Sequence, residues 1–193
     1  MDNTPKIIRE SSSGFFLCTI RDEMLRRREL ECVGEINAET IYSLCRQLRH
    51  LQHEDLDGEI TLFINSPGGE VHSGLALYDV MKAVTCPIRT VCMGTAASMG
   101  AVLFAAGDRR DILPHGRVMI HDPLIPQGVG GSALELETIS KNLLETRRVI
   151  CTVLSDCTGR TLEEIFRCTA RDTWFSARTA VDFGLADRVI TAI

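Results

Sequence analysis

Glu59-Ile60-Thr61-Leu62-Phe63-Ile64-Asn65 runs into Ser66-Pro67-Gly68-Gly69 and then into an amphipathic stretch from about Val71 to Val84. The first seven residues are an apolar run with β-branched members, which reads as a buried strand. The Ser-Pro-Gly-Gly tetrad breaks that run sharply. The third segment places its apolar residues at helical spacing. A strand, a glycine turn and a helix in that order are the building unit of an α/β fold.

The same unit recurs on both sides. Upstream, Asn37 caps a predicted helix whose inner face is Ile41, Leu44, Cys45, Leu48 and Leu51. Downstream, Ile88 to Met93 reads as a second strand that breaks at Gly94, and a third helix runs from near Ser98 to near Gly107. Arg117-Val118-Met119-Ile120-His121 is a third strand, followed by a Pro/Gly loop over residues 122–131. Ser132 with Glu135 forms a capping box for a long helix reaching about Asp156, and Thr161 with Glu164 forms another for a short one. Ser176 caps a last helix that ends before Gly184, and Val189-Ile190 closes a final strand. The alternation predicts an α/β fold with no solenoid repeat. Residues 1–20 read as a weakly structured lead-in with a loop or hairpin tip at Ser11-Ser12-Ser13-Gly14. Phe15-Phe16-Leu17 after it is either a strand tucked under the domain or an apolar contact for a partner. Residues 21–193 are read as one domain.

Composition narrows the function classes. The 193 residues suit one domain that needs no disulfide or metal to form its core, and 45% hydrophobic with 24% charged is a globular profile. No apolar run approaches the roughly 18 residues of a membrane helix, so no membrane span is expected. The first residues lack a basic stretch followed by an apolar one, so no signal peptide is expected. A net charge of −5 argues against a nucleic-acid partner. The one basic cluster, Arg26-Arg27-Arg28, sits beside Glu23, Glu29 and Glu31 and reads as a solvated edge; Arg109-Arg110 reads as a polar loop. Eight cysteines without a CxxC pair or a histidine cluster give no zinc site, and they read as reduced, mostly core thiols.

Three strand ends carry the groups that chemistry needs. At Ser66-Pro67-Gly68-Gly69, paired glycines let amides turn toward a bound oxygen without side-chain interference, although Pro-Gly is also the sign of an ordinary tight turn. It is not a phosphate loop, since the Lys and Ser/Thr that should follow are absent. In Gly94-Thr95-Ala96-Ala97-Ser98-Met99-Gly100, small residues crowd one serine ahead of a helix. That is the logic of a nucleophile elbow, and Ser98 reads equally as a simple N-cap. At Met119-Ile120-His121-Asp122-Pro123 a histidine ends an apolar strand, as a general base or as a structural residue with its bonds satisfied. A Ser–His pair needs an orienting acid, and Asp122, Asp156, Asp172, Asp182 and Asp187 are all candidates that spacing does not separate.

Taken together these segments, with Arg171-Asp172 leading into Phe175-Ser176-Ala177, resemble the proteolytic subunits of Clp proteases (the ClpP family), which are self-compartmentalised serine peptidases. The resemblance runs from about Gly34 to Ile190. It implies a ClpP/crotonase-like core of repeated β-β-α turns with a protruding handle at about 122–160. It implies Ser98 as nucleophile, His121 as general base and then acid, and Asp172 as orienting carboxylate. The amides of Gly69 and Met99 form the oxyanion hole on this reading, with Gly68 supporting the turn. The implied assembly is a homo-oligomer of heptameric rings stacked as a tetradecamer, whose long helices interdigitate. An AAA+ unfoldase of the ClpX, ClpA or ClpC type feeds in protein substrates. ATP belongs to that partner, so no cofactor or metal is expected for this chain, and a cytoplasmic location follows.

The chain also departs from the family pattern. His121-Asp122-Pro123 stands where the family usually has His-Gln-Pro, which places a carboxylate beside the base. The stretch Gly107-Asp108-Arg109-Arg110-Asp111 is two residues short, and the loop holding Ile125 and Pro126 is two residues long. Pro126 there removes a ladder donor. Cys168-Thr169-Ala170-Arg171-Asp172 replaces a more acidic run, so Arg171 loses its usual acidic neighbour. The lead-in lacks the family's charged and Tyr-rich segment. Two alternatives to an active peptidase follow: a ring subunit of low intrinsic activity that needs a second ClpP-type subunit, and a crotonase-like acyl-CoA enzyme.

Overall fold

The computed structural model describes residues 5–12, 14–125 and 128–193. The expectation for Pro126 therefore lies outside the described residues. A seven-stranded sheet organises the chain, with strands β3 (Glu29–Ile36), β4 (Ile60–Gly69), β5 (Ile88–Ala97), β6 (Arg109–Ile112) and β9 (Arg188–Val189) side by side and parallel. Strand β7 (Arg117–Ile120) runs parallel to the far half of β5, and β8 (Thr173–Ser176) is antiparallel to β7. Among the described residues seven helices complete the fold: α1 (Ile20–Arg26), α2 (Ala38–Glu54), α3 (Val71–Ala83), α4 (Met99–Ala105), α5 (Ala133–Thr158), α6 (Leu162–Thr169) and α7 (Ala177–Phe183). Among the described residues no helix is long and apolar enough to cross a membrane.

The expected breaks at Ser66 and Gly94 are not strand ends. β4 continues through Pro67 to Gly69, and β5 continues through Gly94 to Ala97. Each strand bends instead. The β3–β4 register shifts between Val33 and Glu35, and the β4–β5 register shifts between Ile64 and Ser66. A bulge is where a strand tolerates proline, because a ladder bond is missing there in any case. The bend in β5 splits its partners: Arg89–Cys92 pairs with β6, and Thr95–Ala97 pairs with β7. Asn65 holds the bend, its Oδ1 accepting the Thr95 N–H at 3.1 Å. Gly94 sits at φ +107° with that same oxygen 3.0 Å from where a Cβ would stand.

The helix caps fall where the sequence places them. Asn37, Ser132 and Thr161 each close a capping box, and Ser176 accepts the Thr179 N–H. α4 is different: every one of its residues is buried. A helix apolar on all sides belongs inside a core. It packs against β4, β5, β7, α3 and α5, so whatever stands at its start is held by the whole domain.

Three further expectations are corrected. The described part of the lead-in is not weakly structured: β1 (Lys6–Ser11) and β2 (Gly14–Thr19) form an antiparallel hairpin. Phe15, Phe16 and Leu17 in it are exposed and not tucked under the domain. Arg28 is not a solvated edge but donates to the carbonyls of Leu51, Asp55 and Gly58. Arg109-Arg110 opens strand β6, and Arg110 bonds Asp187 and the carbonyls of Cys157 and Gly184. Guanidinium groups serve here as five-donor staples for backbone carbonyls, a role that composition does not reveal. Strand β3 was not anticipated at all. Its Leu30, Cys32 and Ile36 are buried and alternate with Glu29, Glu31 and Glu35, residues of low strand propensity that weaken the signal.

Candidate active site

The far ends of β5 and β7 are neighbours in the ladder, with Ala97 opposite Met119. Ser98 follows the first and His121 the second. Ser98 takes the N-cap position of α4, yet its side chain makes no capping bond. Its backbone is at φ +54° and ψ −123°, one of only two non-glycine residues at positive φ among those described. Strained backbone of this kind persists only where its surroundings dictate it. The Ser98 N–H donates to Met119 O at 2.8 Å, which pins the turn to β7. The hydroxyl is thereby aimed at the imidazole: Ser98 Oγ and His121 Nε2 are 2.8 Å apart.

The other imidazole nitrogen, Nδ1, lies 3.5 Å from Asp172 Oδ1. Of the five aspartates that spacing left open, Asp172 is the one that meets His121. The contact is looser than a hydrogen bond, and the Asp172 side chain is 65% exposed against 15% for His121. Asp122 does not stand beside the base. Its carboxylate bonds Arg147 Nε at 2.6 Å, because adjacent strand residues project to opposite faces.

The glycine turn of β4 closes over the serine. A Cβ on Gly68 would sit 2.6 Å from Ser98 Cβ and 2.8 Å from Ala97 O, at φ +98°. Only glycine permits that approach. Ser66, buried, stitches the turn down: its Oγ donates to Gly34 O at 2.6 Å and accepts the Gly68 N–H at 3.1 Å. The Gly68 amide is thus engaged. Gly69 packs against the backbone of Ile36, and Met99 opens α4, where an N–H has no acceptor within its own helix. Ser66 and Asn65 do work that the motif alone did not assign to them.

An apolar cleft adjoins the pair, lined by Val71, Met99, Val102, Ile120, Pro123, Ile150 and Leu154 besides Ser98 and His121. A larger groove of about 230 Å³ lies elsewhere, between α1, β3 and α2, and is edged by Glu29, Glu31, Glu35 and Glu39. Its thiol, Cys32, is pushed up to about 11 by burial, so it is no nucleophile at neutral pH. Cys92 is likewise pushed up to about 12. Among the described residues no cluster of His, Cys, Asp or Glu gathers as a metal site would. What the site offers is a serine hydroxyl, a neighbouring imidazole and an acid behind it, the elements of nucleophilic acyl transfer.

Comparison with known proteins agrees with that chemistry. The family model described as Clp protease matches residues 12–192. The ATP-dependent Clp protease proteolytic subunit of Ligilactobacillus salivarius is 38% identical over 192 residues, covering 98% of this chain and 96% of that protein. Proteolytic subunit 1 of Corynebacterium jeikeium is 39% identical, covering 90% and 93%. Proteolytic subunit 2 of Corynebacterium efficiens is 40% identical, covering 89% and 86%. With the match spanning nearly the whole sequence, this chain belongs to the Clp protease family.

Proposed function

We propose that this chain is the proteolytic subunit of an ATP-dependent Clp protease, a serine endopeptidase that cuts unfolded proteins and peptides. The observation that carries the reading is the 2.8 Å contact between Ser98 Oγ and His121 Nε2 on a strained turn. In the first half-reaction Ser98 Oγ attacks the scissile carbonyl carbon while His121 Nε2 takes the hydroxyl proton. His121 then gives that proton to the leaving amine as the C–N bond breaks, which leaves an acyl ester on Ser98. Water attacks the ester in the second half, with His121 again as base and then acid. Asp172 holds the imidazole tautomer and stabilises the imidazolium. The Gly69 and Met99 amides carry the developing oxyanion. No cofactor or metal enters, and ATP is consumed by an AAA+ unfoldase partner.

The assembly proposed is two stacked seven-membered rings. The exposed apolar side chains of Leu134, Leu136, Leu144 and Val149 on α5 support subunit contacts along that helix. A second reading is a subunit whose site tightens only on assembly or with a second subunit type. The 3.5 Å gap and the exposure of Asp172 favour it.

The test is degradation of an unfolded protein by the purified chain with an AAA+ unfoldase and ATP, beside Ser98→Ala. Loss of cleavage in the variant alone supports the proposal. Equal cleavage by both overturns it, and tight acyl-CoA binding in place of cleavage would point to a crotonase-like enzyme.

A further inference from the structure

We propose that Asp122 and Arg147 form a positioning pair that fixes the distance between the catalytic base and its acid, an inference that rests on the assignment of Ser98, His121 and Asp172 above. Asp122 follows His121 directly and is held at both ends. Its N–H donates to Thr169 O at 2.7 Å. Its Oδ2 accepts from Arg147 Nε at 2.6 Å. Arg147 stands on α5 and reaches on to α6, where its Nη2 donates to Phe166 O at 3.1 Å and its guanidinium lies 4.4 Å from the Phe166 ring centroid. The end of the base strand is thus tied to α5 and to the segment of chain that leads into Asp172.

That tie matters because Asp172 is weakly anchored. Among the described residues its side chain makes no hydrogen bond or ion pair except the 3.5 Å approach to His121. Its place is therefore set by the backbone of 169–173. The contacts that hold this backbone include the Asp122–Thr169 bond, the Thr173 Oγ1 bonds to Cys168 O at 2.6 Å and Arg171 O at 3.3 Å, and the pairing of Ile120 with Thr173. Asp122 Oδ1 is buried with no hydrogen-bond donor among the described residues. Arg147 is the one ion-pair partner of this carboxylate among the described residues, so its loss unties the end of the base strand from α5 and α6. Neither residue touches the reacting atoms; the pair acts through the backbone on both sides of the His121–Asp172 contact.

The experiment compares Arg147→Ala, Asp122→Ala and the double variant with the parent. It measures the rate at which a fluorophosphonate labels Ser98, kcat and KM on a small peptide, and amide hydrogen exchange over residues 168–176. Misplacement by about 1 Å costs on the order of a hundredfold in rate, so each single variant should slow labelling and kcat by about 10- to 100-fold with KM within about twofold. The double variant should be no slower than either single, because both changes remove the same contact. Arg147→Lys should recover only part of the rate, since it keeps the charge and loses the fork. Exchange over 168–176 should accelerate in all the alanine variants. Labelling at the parent rate, or unchanged exchange in that segment, would overturn the proposal. If an alanine variant fails to fold by circular dichroism, Asp122→Asn and Arg147→Lys are read against the same criteria. A parent that labels no better than Ser98→Ala would refute the assignment of the nucleophile instead, and hydrogen exchange then still decides for or against the pair.

Discussion

Gly68 and Ser98 are built against each other: a methyl group on Gly68 would stand 2.6 Å from the Ser98 Cβ. The contact joins the bend of β4 to the turn that follows β5, and it leaves room for nothing larger than hydrogen. Gly68→Ala must therefore push the serine turn away and also adopt φ +98°, which an L-residue resists. We expect a loss of stability of about 2–4 kcal/mol and a fall in peptidase activity of at least about a hundredfold. Urea unfolding and peptide hydrolysis measure the two together.

Ser98 itself stores strain. Its φ of +54° suits glycine far better than serine. Ser98→Gly should remove all serine-dependent activity and yet raise stability by about 1 kcal/mol, the relieved strain outweighing the added chain entropy. Ser98→Ala should be equally inactive without that gain. A calorimetric comparison of the two variants checks it.

Asp172 makes the opposite prediction. It is largely exposed, so Asp172→Asn should change stability by less than about 0.5 kcal/mol. The amide favours the wrong imidazole tautomer, and in serine triads that loss costs on the order of 10³–10⁴ in kcat. Steady-state kinetics and a melting curve on one preparation separate the two effects.

Acid sensitivity is expected at Asp111. Burial works against its charge, and side-chain bonds from Arg188 and Arg89 outweigh that cost, holding the carboxyl below the usual carboxylate range. Because the folded-state pKa is the lower one, the stabilisation is present above the unfolded value of about 3.9 and is lost as pH falls through the folded value. Asp111→Asn strands the guanidiniums around a buried site and should cost about 3 kcal/mol at pH 7. The gap to the parent should narrow below about pH 4. Chemical unfolding at a series of pH values gives the curve.

Much of this was legible in the residues. The α/β alternation followed from apolar runs and helix caps, and Asn37, Ser132, Thr161 and Ser176 cap the helices assigned to them. What escaped was long-range. The bends in β4 and β5 look like strand ends because local signals cannot show that Asn65 and Ser66 supply the bonds a bulge gives up. β3 escaped because Glu29, Glu31 and Glu35, which alternate with its buried residues, have low strand propensity, and Gly34 interrupts the inner face. The meeting of His121 with Asp172, and of Asp122 with Arg147, joins residues far apart in sequence, and spacing carries no sign of either.

The most direct measurement is intact-mass analysis of the purified protein after fluorophosphonate treatment at neutral pH, beside Ser98→Ala. The phosphonate needs an activated hydroxyl and an oxyanion site, and thiols such as Cys32 and Cys92 are held protonated by burial. One adduct on the parent, mapped to Ser98, and none on the variant is the result predicted. An unlabelled parent, or an adduct that persists in Ser98→Ala, would contradict the account.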